Sequence, residues 1–273
     1  MRPIYKLRRF TIVNLIDGDL LVWRCAGSCE PTKAKPDREP QEVAQWRLHD
    51  LIQRICLNTN SQECEIYLGG EDNFRYKIYP EYKQNRKGKE KPMWLEHCRE
   101  LLVTQYSAKV VNYFETDDAL GIAQTKYDGN SRICSLDKDL LQIPGSHFNW
   151  VTGIYRLVSP LDGLRTFYQQ IILGDRTDNI PGYDGKLRGE APKFIQKLQE
   201  PIDEMTEEYD MYEYVCDVYA NYEIEQEMPG EAVTWEWHHD KLHRNAQLLY
   251  ILKNEEEYWK PPNGPKEEST PSS

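Results

Sequence analysis

The chain has 273 residues, 45 of them Asp or Glu against 34 Lys or Arg, a net charge of −11 and a hydrophobic fraction of 39%. That length supports one sizeable core or two modest ones, and the lack of an apolar run long enough to cross a bilayer excludes a helical membrane protein. Seven scattered cysteines, odd in number and without a Cys-x-x-Cys pair, argue against a disulfide framework or a cysteine zinc site and fit a reducing cytosol.

In chain order, the run Thr11-Ile-Val-Asn-Leu-Ile16 reads as a strand that ends at Asp17 and Asp19. Helical spacing over 41–58 and a second apolar run at 65–69 complete a βαβ pattern. Next come seven cations (Arg75, Lys77, Lys83, Arg86, Lys87, Lys89 and Lys91) against Glu81 and Glu90. Interleaved with Tyr76, Tyr79 and Tyr82, this segment suits phosphates and stacked bases, or else is a solvated loop. A helix over 93–105 leads to the run 109–114, which is followed by Glu115, Asp117 and Asp118. A helix over 117–127 leads to the run 131–136, which is followed by Asp137 and Asp139. His147 to Val151 suits an edge strand, and 153–160 reads as a junction. Beyond it the texture is helical over 161–173, 190–198, 208–222 and 240–253. A fourth acidic pair, Asp175 and Asp178, follows the run Ile171-Ile-Leu-Gly174. The expected fold is α/β: a mainly parallel central sheet flanked by helices over 1–158, a helical region over 159–260, and a disordered tail over 261–273.

If the four runs that precede acids are parallel strands, their carboxyl ends share the edge where open α/β sheets place ligands. Carboxylates crowded there repel one another and raise one another's pKa values, so the set calls for cations. Oxygen-only ligands indicate Mg²⁺ or Mn²⁺. The competing reading is that each acid caps a helix; Asp19 is divided evenly between ligand and cap of a helix near Leu20. The net charge does not exclude a nucleic-acid partner, because twelve acids and no cation lie between Glu200 and Glu231, leaving the rest of the chain near +1. That acidic block reads as a solvated helical face. His238, His239 and His243 include a pair spaced for zinc, with no acidic or cysteine partner, and Trp235, Trp237 and Trp259 read as packing residues.

Five ordered motifs carry a resemblance: Ile16-Asp-Gly-Asp19, Pro80-Glu-Tyr-Lys-Gln-Asn-Arg86, Glu115-Thr-Asp-Asp118, Asp137-Lys-Asp139 and Gly174-Asp-Arg-Thr-Asp-Asn-Ile-Pro-Gly182. In order and spacing the chain resembles the 5′ nuclease (flap endonuclease) superfamily, and most closely the 5′→3′ exonuclease of short-tailed, podovirus-type phages. The resemblance implies a PIN-like core, a helical arch near 75–105 and a helix-hairpin-helix variant in the C-terminal region. It implies two Mg²⁺ or Mn²⁺ ions, one held by Asp17, Asp72, Glu115 and Asp117, the other by Asp137, Asp139 and Asp175, with Asp118 and Asp178 close by. Asp17, Asp137 and Asp139, with Lys83 and Arg86 as cations on the scissile phosphate, are the implied catalytic set. Tyr82, Lys83, Arg86 and Lys87, then Gly182, Gly185, Lys186, Arg188, Gly189 and Lys193 of a hairpin that in this family often binds K⁺, are the implied DNA contacts.

The implied activity is Mg²⁺-dependent 5′→3′ hydrolysis of duplex DNA, with removal of RNA primers from RNA/DNA hybrids, breakdown of host DNA, and replication proteins as partners. Flap endonuclease cleavage is the near alternative. A haloacid-dehalogenase-type phosphatase using Asp17 as nucleophile leaves Glu115, Asp117, Asp118, Asp137 and Asp139 without a role, and a catalytically inactive DNA-binding protein leaves the intact acidic motifs unexplained.

Overall fold

The computed structural model describes residues 12–225 and 235–264. The side chains of Trp235, Trp237, His238 and His239, the acidic block beyond residue 225 and the tail from residue 265 lie outside the described residues. The chain divides into two compact units: Met1–Asp72, Glu90–Val158 and Lys253–Glu255 form the first, and Asn73–Lys89, Ser159–Leu252 and Glu256–Ser273 the second.

At the centre of the first unit is β1 (Val13–Asp17), in which Asn14, Leu15, Ile16 and Asp17 are all buried, so the strand is covered on both faces. Beside it lie β2 (Cys64–Asn73) and, on the other flank, β4 (Ser131–Cys134), both parallel, with Ile16 opposite Ile66 and Cys134. Beyond β2 comes β3 (Lys109–Tyr113), and beyond β4 come β5 (Gly145–Asn149) and β6 (Ile154–Val158), giving a six-strand order of β3-β2-β1-β4-β5-β6. The chain thus builds one side of β1 first and then crosses to the other, which makes the carboxyl end of β1 a topological switch point. On one face Ile16, Ile66, Leu68, Cys134 and Phe148 share a core with α1 (Gly18–Gly27), α2 (Gln41–Thr59) and α4 (Leu95–Tyr106). Leu15 and Ile133, one residue out of phase, point to the opposite face, and α5 (Thr116–Tyr127) packs against β1 and β4.

Two strands depart from expectation. His147 belongs to β5 (Gly145–Asn149), which is interior rather than an edge, because β6 (Ile154–Val158) pairs antiparallel outside it. The junction predicted near 153–160 therefore contains the edge strand on that side of the sheet. Ile154, Tyr155, Arg156 and Leu157 are all exposed, so no alternation of polarity marks the segment, and backbone pairing alone makes it a strand.

The second unit packs α6 (Pro160–Leu173), α7 (Lys193–Glu204), α8 (Glu208–Glu225) and α9 (Trp235–Leu249) around Phe167, Tyr168, Ile171, Ile172, Val215, Tyr219 and Trp259. Ser159 caps α6 by accepting from the Asp162 N–H at 3.1 Å, and Pro160 occupies the first helical position, where its missing N–H costs nothing. The run Ile171-Ile-Leu-Gly174 is the last turn of this helix and not a strand end, so only three of the four acidic clusters follow sheet strands. Apolar residues bounded by glycine look alike in both cases, and here burial at helical spacing with Phe167 and Tyr168 decides. A two-residue ribbon follows, β7 (Gly174–Asp175) against β8 (Ile180–Pro181). Gly174 has φ 74°, and a Cβ there would lie 2.4 Å from the Gly182 nitrogen and 2.5 Å from the Ile180 oxygen, so only glycine fits.

The region expected as a helical arch holds α3 (Arg75–Ile78), one 3₁₀ turn over Gln84–Arg86 and the first part of α4 from Leu95, with turns between them. In the described part of the acidic block, Asp203, Glu204, Glu207, Asp210, Glu213 and Asp217 are exposed while Met211, Val215 and Tyr219 are buried, a solvated face as predicted. His243 contacts the Tyr212 hydroxyl at 3.0 Å and packs edge-on to Trp259, a structural setting.

Candidate functional site

In the first unit, Asp17 ends β1 and caps α1. Its Oδ1 accepts the Leu20 N–H at 3.0 Å, and its Oδ2 accepts the Ser135 hydroxyl at 2.9 Å. Ser135 in turn accepts the Asp137 N–H at 3.1 Å, so one hydroxyl ties the carboxyl end of β1 to the loop after β4. Asp137 Oδ1 accepts the Asp139 N–H at 2.9 Å and starts the 3₁₀ turn Asp139–Gln142. Burial, opposed by the bonds from Leu20 and Ser135 and reinforced by repulsion from Asp19 and Asp137, pushes the Asp17 carboxyl up to about 7.

Asp19 is not the cap; Asp17 is. Both Asp19 oxygens are engaged within the fold. Oδ1 pairs with Arg99 Nη1 of α4 at 2.5 Å, and Oδ2 accepts from the Gly69 N–H at 2.9 Å and the Thr116 hydroxyl at 2.5 Å. At the start of α5, the Glu115 N–H donates to Asp118 Oδ2 at 2.9 Å, and Asp118 is fully buried. Asp118 is therefore the N3 member of a capping box whose N-cap is Glu115. Asp117 is half-buried on the same turn. Asp72 is exposed and lies five residues past Tyr67, the register partner of Asp17. At about 3.3 Å of rise per residue, some 16 Å of strand separates them. Beside Asp137, at the carboxyl ends of β4 and β5, is a cavity of about 200 Å³ whose walls include Lys138, His147, Asn149 and Arg156.

Among the described residues, no three His, Cys, Asp or Glu side chains are gathered closely enough to hold an ion directly. The donor set nevertheless fits a hard divalent cation that keeps part of its water shell: it is all-oxygen, and burial with repulsion from Asp19 and Asp137 raises the Asp17 carboxyl to about 7, a penalty a cation would relieve. Arg99, Thr116 and Ser135 were not anticipated from sequence. Thr116 had one signal, its place inside Glu115-Thr-Asp-Asp118, while Arg99 looks like any cation on an amphipathic helix.

In the second unit, Asp178 is the hub. It accepts the Tyr82 hydroxyl at 2.7 Å, lies 3.4 Å from Lys83 Nζ and pairs with Arg86. The Lys83 N–H donates to the Asp178 carbonyl at 2.9 Å, Asn85 Nδ2 to the Arg176 carbonyl at 2.6 Å and Arg86 Nε to the Thr177 carbonyl at 3.1 Å. Lys83 takes a left-handed conformation, φ 54°, an energetic cost this clamp offsets. Tyr82 is 1% exposed and belongs to the core, which corrects the expectation that it stacks on a base. The segment is thus tied by hydrogen bonds to the turn Arg176–Asp178. Asp175 Oδ1 accepts the Thr177 N–H at 2.7 Å.

The glycine-rich stretch also divides. Gly182 is buried, and a Cβ on it would lie 2.5 Å from the Leu173 oxygen, so its role is close backbone approach. Arg188 makes a two-pronged pair with buried Asp184. Gly185, with φ 73°, and Gly189, Lys186 and Lys193 remain exposed, as does Lys87 on the earlier loop.

The family described as 5′-3′ exonuclease, N-terminal resolvase-like domain, matches residues 12–168. Flap endonuclease Xni of Shewanella putrefaciens is 27% identical over 199 residues, covering 67% of this chain and 72% of that protein. Two solved structures share the fold. The T5 D15 protein co-crystallised with metal ions gives a TM-score of 0.57 at 18% identity, covering 87% of this chain and 88% of that one. The bacteriophage T5 D15 flap endonuclease, in a complex with DNA and metal ions, gives a TM-score of 0.58 at 17% identity with the same coverages. The mainly parallel sheet flanked by helices is therefore the PIN-like fold of those nucleases.

Proposed function

The chain belongs to the 5′-3′ exonuclease family, and on that premise we propose that it is a Mg²⁺-dependent nuclease that hydrolyses duplex DNA from 5′ ends. The observation that carries this reading is the Ser135 bridge at the sheet's switch point, which holds Asp17 and Asp137 together with the Asp17 carboxyl raised to about 7. Divalent ions at such a site lower the pKa of a bound water and neutralise charge on the phosphate. Asp17, Glu115, Asp117, Asp137 and Asp139 are the proposed holders in the first unit. Asp72 is retained as an outer contributor in the first unit, Asp175 is retained as a proposed metal ligand of the second unit, and Asp178 acts instead as anchor of the cationic loop.

Lys83 and Arg86 are the proposed phosphate contacts. Both are already paired with Asp178, so engaging phosphate exchanges one anion for another and needs little reorganisation. Lys87, Lys186 and Lys193, all exposed, are proposed backbone contacts. RNA/DNA hybrids are included among the substrates because backbone contacts carry no base information. Removal of RNA primers and degradation of host DNA, with replication proteins as partners, is the proposed setting, and cytoplasm the proposed location; among the described residues no helix is long and apolar enough to cross a membrane. A phosphatase nucleophile at Asp17 has no support, because that carboxyl is 3% exposed and engaged as a cap.

Flap cleavage is the second reading, favoured by the description of the Shewanella relative as a flap endonuclease. A Mg²⁺ assay on 5′-labelled blunt, nicked, flapped and RNA-primed duplexes separates the two by product length. Loss of all cleavage in Asp137→Ala, with 5′-end binding retained, is the expected result. Undiminished cleavage by EDTA-treated protein would sink the metal mechanism.

A further inference from the structure

The Asp19 carboxylate is half-buried and accepts three hydrogen bonds from three different elements: Arg99 of α4, the Gly69 N–H of β2, and the Thr116 hydroxyl at the first position of α5. Arg99 closes the arrangement by donating Nη2 to the Gly69 carbonyl at 2.6 Å. Gly69 thus has both backbone groups held by one ion pair, and a Cβ at that position would lie 3.0 Å from Asp19 Oδ2 and 3.4 Å from the Thr116 hydroxyl. Two of these elements, β2 and α5, and the segment that holds Asp19 itself each lie beside an acid assigned to the metal site. Asp19 follows Asp17 by two residues, Thr116 sits between Glu115 and Asp117, and Gly69 precedes Asp72 on the same strand.

A carboxylate in this state is a poor ligand for a further cation. Its charge is balanced by a guanidinium at 2.5 Å, and three donors occupy three of its about four lone-pair sites. We propose that Asp19 is a positioning residue whose ion pair with Arg99 sets the acid-bearing ends of β1, β2 and α5 relative to one another, so that Glu115 and Asp117 are presented to the metal that Asp17 serves. This rests on the nuclease reading of the first unit.

The test uses the full-length protein and two readouts, Mn²⁺ affinity by titration calorimetry and single-turnover cleavage of a 5′-labelled duplex. Asp19→Asn and Arg99→Met are each expected to lower both by about 10- to 100-fold, the usual cost of removing a group that orients a metal ligand. The double variant is expected to be no worse than the worse single one, because both remove the same contact. Arg99→Lys, which keeps charge without the two-pronged geometry, should recover part of the loss. Thr116→Val removes one hydroxyl with little change of volume, and a severalfold loss of Mn²⁺ affinity in this folded variant supports the network independently. Wild-type values for Arg99→Met and Thr116→Val beside a weakened Asp19→Asn overturn the proposal, since Asp19 is then itself a ligand; wild-type values throughout also overturn it. Wild-type protein that binds Mn²⁺ but cleaves nothing refutes the nuclease reading, and the calorimetric comparison still decides the role of Asp19.

Discussion

Replacing Tyr82 with phenylalanine separates two roles that the sequence alone leaves open. The ring is kept, so stacking on a base would survive, whereas the hydroxyl that donates to Asp178 at 2.7 Å is lost. A hydrogen bond to a charged acceptor contributes roughly 1.5–3 kcal/mol. Asp178 keeps Lys83 and Arg86 after the change and is not stranded, so the expected cost lies at the low end, about 1.5 kcal/mol. Tyr82→Ala adds a cavity in a core shared with Phe167 and Tyr168 and is expected to cost about 3–5 kcal/mol. Urea unfolding followed by tryptophan fluorescence measures both, and fluorescence anisotropy with a labelled 5′-end duplex measures binding. If Tyr82→Phe unfolds like the parent while Tyr82→Ala weakens end binding without losing stability, the aromatic ring serves DNA and not the core, and the reasoning fails.

Gly174→Ala forces a side chain into the contact with Gly182 and Ile180 at φ 74°, and is expected to cost at least about 3 kcal/mol; a wild-type melting temperature would remove the argument for a glycine there. His147 is buried in β5, where desolvation lowers its pKa below 6.5 against an opposing bond to the Ile143 carbonyl at 2.7 Å. The unfolded chain binds that proton first, so the contribution of His147 is complete above pH 6.5 and is lost as pH falls below it. Asp17 runs the other way in metal-free protein. Raised from 3.8 to about 7, it makes the folded state gain stability as pH falls between those values. The pH dependence of the difference between wild type and His147→Gln cancels Asp17 and isolates His147, and a difference that is flat below neutrality would refute the assignment. Added Mg²⁺ should flatten the Asp17 dependence, because an ion competes with its proton; unchanged pH dependence at saturating Mg²⁺ would show that Asp17 is not at the metal.

Much of this protein was legible in its sequence because the deciding signals are local. Apolar runs broken by acids mark strand ends at Asp17, Glu115 and Asp137, the spacing of the intervening helices enforces a parallel sheet, and the order of the motifs points to the family. The tertiary structure decided which acids are spent on the fold. Asp17 caps α1, Asp118 completes the capping box of α5, Asp19 pairs with Arg99 across 80 positions, and Asp178 anchors Tyr82 across 96. No local pattern encodes Arg99 or Tyr82 as partners, since a carboxylate's neighbours at such separations depend on how the chain packs, and the two caps match the local capping reading that the sequence alone could not choose. The same holds for β6, a strand made by backbone pairing to β5 with its side chains exposed, and for Ile171 to Gly174, whose apolar run fits a strand end or a helix end until burial chooses. The sequence by itself therefore determined the chemistry on offer, and packing determined which residues are committed to structure, because burial and ion pairing are properties of the folded chain.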